Sequence, residues 1–516
     1  MRGPVASSSL VRGKHVITRA LDRHRWEQVD DGAVLQRDGV IIAIGSFAAL
    51  HRDNPAVPVI GSGEEILLPG FVNSHHHIGL TPVQLGLTDM PLELWFASSL
   101  AARDRVPYLD TLYAAFEMIA SGITTAQHIH GWIAGDLPQI EAQAEDIIRA
   151  YEDIGMRVSY CFALRDRNHL VYEANEQFLA RVPAEIRPAL AKYFAGFQMP
   201  ASETIALFEH LHARHHNKER VKVQLAPSNQ HWCSDTALTS LADCAAKHGV
   251  PLHMHLVETA YQKEFARRGG GTAVDHIERF GLLGPQMTLG HAVWLSEGDI
   301  EKLAETGTNI CHNCSSNFRL RSGVLPLNRL EEKGINVAIG LDEVGINDDR
   351  DMLQEMRMVL RAHREPGMDD RVPTVAQILR LATVGGAKTT GYGTRLGTLE
   401  LGKAADMVLL DWRQISYPYL DAETPVLDAI IQRARTEGVR TVIADGEILY
   451  QDGKFTRLDR AAALRQLSEI MRRPLSGEEV ERRCLSKAIF PHVKAFYEGY
   501  CDADAHVPYY RQSSRI

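Results

Sequence analysis

The sequence predicts an α/β protein: a (β/α)8 TIM barrel joined to a small β-sandwich domain that both chain ends build, with a C-terminal helical extension. Three observations carry that expectation. Eight short apolar runs, each followed by a segment of helical length, recur between residues 69 and 395, a span that suits a barrel of about 250 residues with insertions. The flanks on either side have another texture, rich in β-branched residues and Gly turns. Several of the eight runs also close on an ionisable residue, the position from which a barrel presents its chemistry.

Taken in order, residues 8–68 alternate β-like runs with turns (KHVITRAL, GAVLQRDGVIIAIG, EEILLPG) and read as a small antiparallel sheet with no helix of its own. The barrel runs follow as FVNSHHH (71–77), ITTAQHIH (123–130), RVSYCFAL (157–164), VKVQLAPS (221–228), PLHMHL (251–256), MTLGHA (287–292), TNICHN (308–313) and NVAIGLDE (336–343). A short apolar run alone suits either a buried strand or a helix segment; the regular succession of runs and helices decides for strands. After residue 395 the β texture returns in LGTLELGKAADMVLLDW and VRTVIADGEILYQDGKF. The expected division is therefore a discontinuous sandwich (1–68 with 396–465), a barrel (69–395) and a helical extension (466–516).

Composition narrows the function classes. Of 516 residues 45% are hydrophobic and 23% charged, which excludes a disordered or fibrous chain. With 56 Lys and Arg against 65 Asp and Glu, the net charge of −9 gives no electrostatic case for nucleic acid or an anionic membrane surface. The seven cysteines are odd in number and scattered, so no disulfide framework is expected. The first residues, MRGPVASSSLVRGKHV, lack the apolar core of a signal peptide, and no run approaches the ~18 apolar residues of a membrane span. The cytoplasm is the expected compartment.

The 23 histidines focus the search. His75 and His77 are separated by one residue at the end of the first run, so both face the barrel interior at its C-terminal mouth, whereas His76 faces away. An HHH sequence alone would equally suit a polar strand end. Further residues at the same level change that reading: His255 closes the fifth run, with Glu258 three residues on, His291 closes the sixth, and Asp342 the eighth. His75, His77, His255 and Asp342 together make an N3O donor set suited to one divalent metal per chain, Zn2+ first and Fe2+ second. No lysine ends a run where it could bridge a second ion.

Ordered segments along the chain, among them LLPGFVNSHHH (67–77), DMPLELW (89–95), HLVETAYQKE (255–264), GHAVWLSEGDI (290–300), HNCSSNFRLRSGVLPL (312–327) and GLDEVGINDDRDMLQEMR (340–357), resemble the amidohydrolase superfamily. The subgroup is that of the chlorohydrolases and the guanine- and adenosine-type aminohydrolases. The resemblance implies that His75, His77, His255 and Asp342 hold the metal and that Glu258, His291 and Asp342 handle protons. A metal lowers the pKa of bound water toward ~7. Asp342 can take that water's proton, Glu258 can protonate a ring or leaving-group nitrogen, and His291 can hold developing charge.

The chain departs from that pattern where substrate is read. The eighth run ends Leu341-Asp342-Glu343, without the flanking small residues of most relatives, and Cys314 replaces a common proline. Cys311 and Cys314 are expected to be neither a redox pair nor a zinc motif. Gln84, Trp95, Gln127, His128, Trp132, Asn229, His231, His312, Asn317 and Glu343 are the expected substrate contacts, their aromatic and amide groups suiting a planar hydrogen-bonding ligand. The histidines of FEHLHARHHNKER are expected on a solvated helix face, His253 one layer below His255, and the acidic run 347–351 at a helix N-terminus.

The expected function is hydrolysis of a C–N bond with metal-activated water, in the first place deamination of a small nitrogen heterocycle. Hydrolysis of an amide, urea or carbamate bond, or dehalogenation, would use the same machinery, and a non-catalytic binding barrel is the reading from another class. The partners implied are a small-molecule substrate and further copies of the chain, as a dimer or larger homo-oligomer, with no nucleic acid and no membrane.

Overall fold

A computed structural model of the chain describes residues 8–131, 133–197, 199–216 and 218–501. Eight parallel strands stand side by side in sequence order: Phe71–His76, Ile123–His130, Arg157–Leu164, Val221–Pro227, Leu252–Leu256, Met287–His291, Asn309–His312 and Val337–Ile339. We number them barrel strands one to eight. Their residues are almost all buried, as β-branched and apolar runs covered on both sides must be. The ring closes between strands eight and one through one parallel bridge, His76 to Asp342, reinforced by the Asp342 N–H donating to His75 O at 2.8 Å and the Leu341 N–H donating to Asn73 Oδ1 at 3.0 Å.

The chain ends form a second sheet, in which strands Ser8–Ala20, Trp26–Arg37 and Val40–Ser46 from the front join Met407–Asp411, Val439–Ala444, Glu447–Gln451 and Lys454–Phe455 from the back. Two features differ from the sequence expectation. The sheet is mixed, because the chain crosses back before Glu65–Pro69 and so lies parallel to Ser8–Ala20, His15 opposite Ile66. It also has a helix of its own, Phe47–Asp53, started by Ser46, whose hydroxyl accepts from the Ala49 N–H. Seven residues are too few to show a helical period in the sequence.

Ile17, Ile66, Leu68, Val408 and Leu410 of this sheet share one apolar core with the barrel helices. Arg157, at the start of barrel strand three, is fully buried between the two parts and holds Asp406 (3.1 Å), Asp445 (2.6 Å) and the Glu219 carbonyl (2.7 Å). The C-terminal helices are Arg460–Met471 and Gly477–Tyr497. The second packs Leu485, Ile489 and Val493 against Ala97 and Leu100, at the helix Leu92–Ser99, where Ser486 Oγ also donates to Ala97 O at 2.8 Å. No described helix is long and apolar enough to cross a membrane.

Candidate metal centre and substrate cavity

The C-terminal ends of strands one, five, six and eight converge. His75 Nε2 lies 3.1 Å from both His77 Nε2 and His255 Nε2, and those two are 3.2 Å apart. Asp342 Oδ1 is 3.2 Å from His77 Nε2 and 3.5 Å from His75 Nε2. All four side chains are buried. Two ring nitrogens are already assigned by their partners: His77 Nδ1 donates to Ile129 O (2.8 Å) and His255 Nδ1 to Ser228 O (3.0 Å), since a carbonyl only accepts. In the neutral rings both Nε2 atoms then carry lone pairs aimed at the common centre.

Lone pairs this close repel unless a positive charge stands among them. A proton can serve one pair; a divalent cation serves all four donors. The donor–donor spacing of 3.1–3.5 Å also matches the edge of about 3.3 Å that bonds of 2.0–2.1 Å generate around a tetrahedral ion. The residues therefore fit a divalent metal. Titration follows the same geometry. Burial, then the neighbouring imidazoles, push His75 and His255 well below the ordinary histidine value. Burial also opposes charge on His77, but its hydrogen bond to Asp342 wins and raises it. Asp342 is held well below the carboxylate range, burial being overcome by His77 and His291. Ser316 Oγ donates to its other oxygen at 2.6 Å.

Backbone strain aims these groups. Val257, His291, Ala292 and Asp342 all have left-handed φ, between 42° and 65°, which turns the strand ends sharply over the barrel mouth and which non-glycine residues keep only when their surroundings enforce it. His291 Nδ1 donates to Asn317 Oδ1 (2.9 Å), its Nε2 accepts from Asn313 Nδ2 (3.2 Å), and it stands 3.6 Å from Glu258 Oε1 and 3.7 Å from Asp342 Oδ2. Burial pushes the Glu258 carboxyl up to about 7 against the pull of His291. Burial likewise pushes Glu343 up to about 7, with His77 drawing it down.

Above these groups lies a cavity of about 190 Å³. Ile78, Leu85, Leu87, Trp95, Phe96 and Trp232 give it apolar walls, and Glu258, His291, Asp342, Glu343, Arg105 and His130 its polar ones. Of the expected substrate contacts, Trp95 and Glu343 lie on the wall and Asn317 stands behind His291. The structure does not bring the others there. Gln84 is exposed and turns to Thr81 and Tyr113. Gln127 lies a layer below Ile129, donating to Cys161 Sγ. His128 alternates outward to Tyr151 in the helix layer, and His312 likewise meets His363 at 2.8 Å. Asn229 donates to Gln262 Oε1, which also accepts the Glu258 N–H. His231 packs against Tyr172, with ring centres 4.1 Å apart and the planes tilted by 45°. Trp132 lies outside the described residues.

Among the surrounding residues, His253 Nε2 meets His75 Nδ1 at 2.8 Å, and Asp351 caps the helix Met352–Ala362. His215, expected on a solvated face, is instead buried against Glu145 at 3.0 Å. Sequence reasoning missed His130, Arg105 and Ser316. His130 closes its apolar run as His255 does, so the strand-end rule could have found it. Arg105 and Ser316 sit in loop and helix segments where no periodicity marks them.

A family model described as the Amidohydrolase family matches residues 66–449. The chain is 29% identical to a 5-methylthioadenosine/S-adenosylhomocysteine deaminase of Syntrophobacter fumaroxidans, covering 90% of this chain and 97% of that protein. It is 30% identical to a protein of the same description from Moorella thermoacetica, covering 86% and 95%. Among solved structures, a zinc-bound adenosine deaminase of Xanthomonas campestris superposes with a TM-score of 0.75 at 24% identity, covering 90% of this chain and 98% of that one. A triazine hydrolase of Arthrobacter aurescens gives 0.77 at 21%, covering 90% and 100%.

Proposed function

The chain belongs to the amidohydrolase family, and from that premise we propose that it is a zinc-dependent hydrolase that deaminates a small nitrogen heterocycle. It is a hydrolase of C–N bonds other than peptide bonds. The observation that carries the finer reading is the convergence of four metal-fitting donors with two proton carriers, Glu258 and His291, at one apolar-walled cavity. The relatives named for deamination of adenosine derivatives support it.

His75, His77, His255 and Asp342 would hold the ion, and the three-nitrogen, one-oxygen set favours zinc over harder cations. Bound there, a divalent metal lowers the pKa of water in its shell toward about 7. Asp342, tied by Ser316, accepts the attacking water's proton on its free lone pairs. Glu258 carries a proton to the nitrogen that must leave, because only a protonated amine departs as ammonia. His291, its Nδ1–H fixed on Asn317, stands with Nε2 3.7 Å from Asp342, and that nitrogen can hold the proton in transit once the Asn313 amide yields its lone pair. Trp95, Phe96 and Trp232 exclude bulk water and stack on a planar ring.

The test combines elemental analysis with product assays on a panel of amino-heterocycles. About one zinc per chain and release of ammonia are expected, both lost in a His75→Ala, His77→Ala double variant. A wild type active without metal overturns the mechanism. Release of an alkylamine, carboxylate or halide in place of ammonia overturns the deaminase reading.

A further inference from the structure

Glu343 is the residue in the cavity wall with the least to do. Its main chain is fixed: the carbonyl accepts from Arg350 Nη2 at 3.1 Å, and the same fully buried guanidinium donates to Ile78 O at 2.8 Å, to Gly79 O, and through Nη1 to Glu117 at 2.8 Å. Arg350 thus clamps the segment after strand eight to the segment after strand one, and Glu343 is placed rigidly beside the His77 side of the site. Its side chain is not used in the same way. Glu343 Oε2 is buried and has no hydrogen-bond partner among the described residues. A buried carboxylate oxygen without a donor is costly, and proteins retain one where a ligand completes it.

Each of the cavity's two arginines already faces a carboxylate of its own. Arg319 is spent on Asp89 (3.0 Å), Asp348 (3.1 Å) and Gly345 O (3.0 Å), and Arg105 faces Asp110 at 3.3 Å. What the wall offers a ligand beyond Glu258 is therefore a second hydrogen-bond acceptor, held on rigid backbone. Resting on the reading of this site as that of a C–N hydrolase, we propose that Glu343 determines specificity by accepting from an amidine- or guanidine-type edge of the substrate, a ring N–H beside an exocyclic NH2, distinct from the nitrogen that leaves. The substrate class is then a heterocycle with two amino-bearing edges, one turned to Glu258 and one to Glu343. A carboxylate takes such an edge through two parallel hydrogen bonds.

Two planar probes separate this from simple fit: 2-aminobenzimidazole, which has the edge, and benzimidazole, which has the same rings without it. Calorimetry on the full chain should show the amino compound binding at least tenfold tighter, about the worth of one charge-assisted hydrogen bond. In Glu343→Gln that preference should shrink to about threefold or less, while Glu343→Asp, which keeps the charge on a shorter arm, should retain part of it. Metal content and thermal midpoint check that the variants fold. If Glu343→Gln fails to fold, Glu343→Asp alone decides, since a preference unchanged from wild type would show that the arm's reach is irrelevant. A wild type without preference, or a Glu343→Gln with the full one, overturns the proposal. Because the readout is binding, the result stands whether or not ammonia is the product.

Discussion

Glu258 holds its place through contacts that have nothing to do with the metal. Its N–H donates to Gln262 Oε1 at 2.9 Å, and Ser322 Oγ donates to its Oε1 at 3.1 Å. With burial lifting the carboxyl to about 7, the protonated form needed for donation predominates only below that pH. We expect kcat/KM to fall as pH rises through about 7, tenfold per pH unit at its steepest. Glu258→Gln should keep its metal, lose roughly 10²–10⁴ in kcat, and lack that alkaline limb; pH–rate profiles with elemental analysis check it, and a variant of near-wild-type rate would remove Glu258 from proton transfer. At this scale the sequence reveals ligand-type residues at strand ends, because there a side chain's direction follows from alternation. It does not reveal the cavity wall. His128 and His130 read alike in the sequence, yet one meets Tyr151 in the helix layer and the other faces the cavity.

Elements set how near the donors come. Gly340, immediately before the strand-eight turn, leaves no room for a side chain: a Cβ there would stand 2.3 Å from Asn313 Oδ1 and 2.5 Å from His75 Cβ. Gly340→Ala must push strand eight from strand one, so we expect lost metal together with a stability loss of about 1–3 kcal/mol, read by elemental analysis and thermal unfolding. Full metal content with an unchanged midpoint would show that the seam yields. The strands themselves were legible because eight apolar runs of similar length recur in order. The helix Phe47–Asp53 and the parallel pairing of Glu65–Pro69 were not, since one is too short for a period and the other is decided by where the chain crosses.

For the molecule as a whole, Arg157 is the polar rivet between barrel and sandwich. Removing the guanidinium strands Asp406 and leaves Asp445 the longer contacts to Arg220 (3.7 Å) and Arg395 (3.9 Å), and Arg157→Ala should cost about 3–5 kcal/mol. A drop in the unfolding midpoint measures it; an unchanged midpoint would mean that the shared apolar core and the Arg220–Glu447 pair (2.8 Å) suffice to join the two parts. Nothing in the sequence links residue 157 to residues 406 and 445, because a partner some 250 positions away leaves no local pattern.

The ring of strands is completed at one bridge, and that bridge belongs to Asp342, whose neighbours across it are His75 and His76. On the metal reading, an ion held by His75 and Asp342 would add a second clasp across a seam that main-chain bonds already shut. Starvation for the ion would then weaken the architecture at the same place where it silences the chemistry.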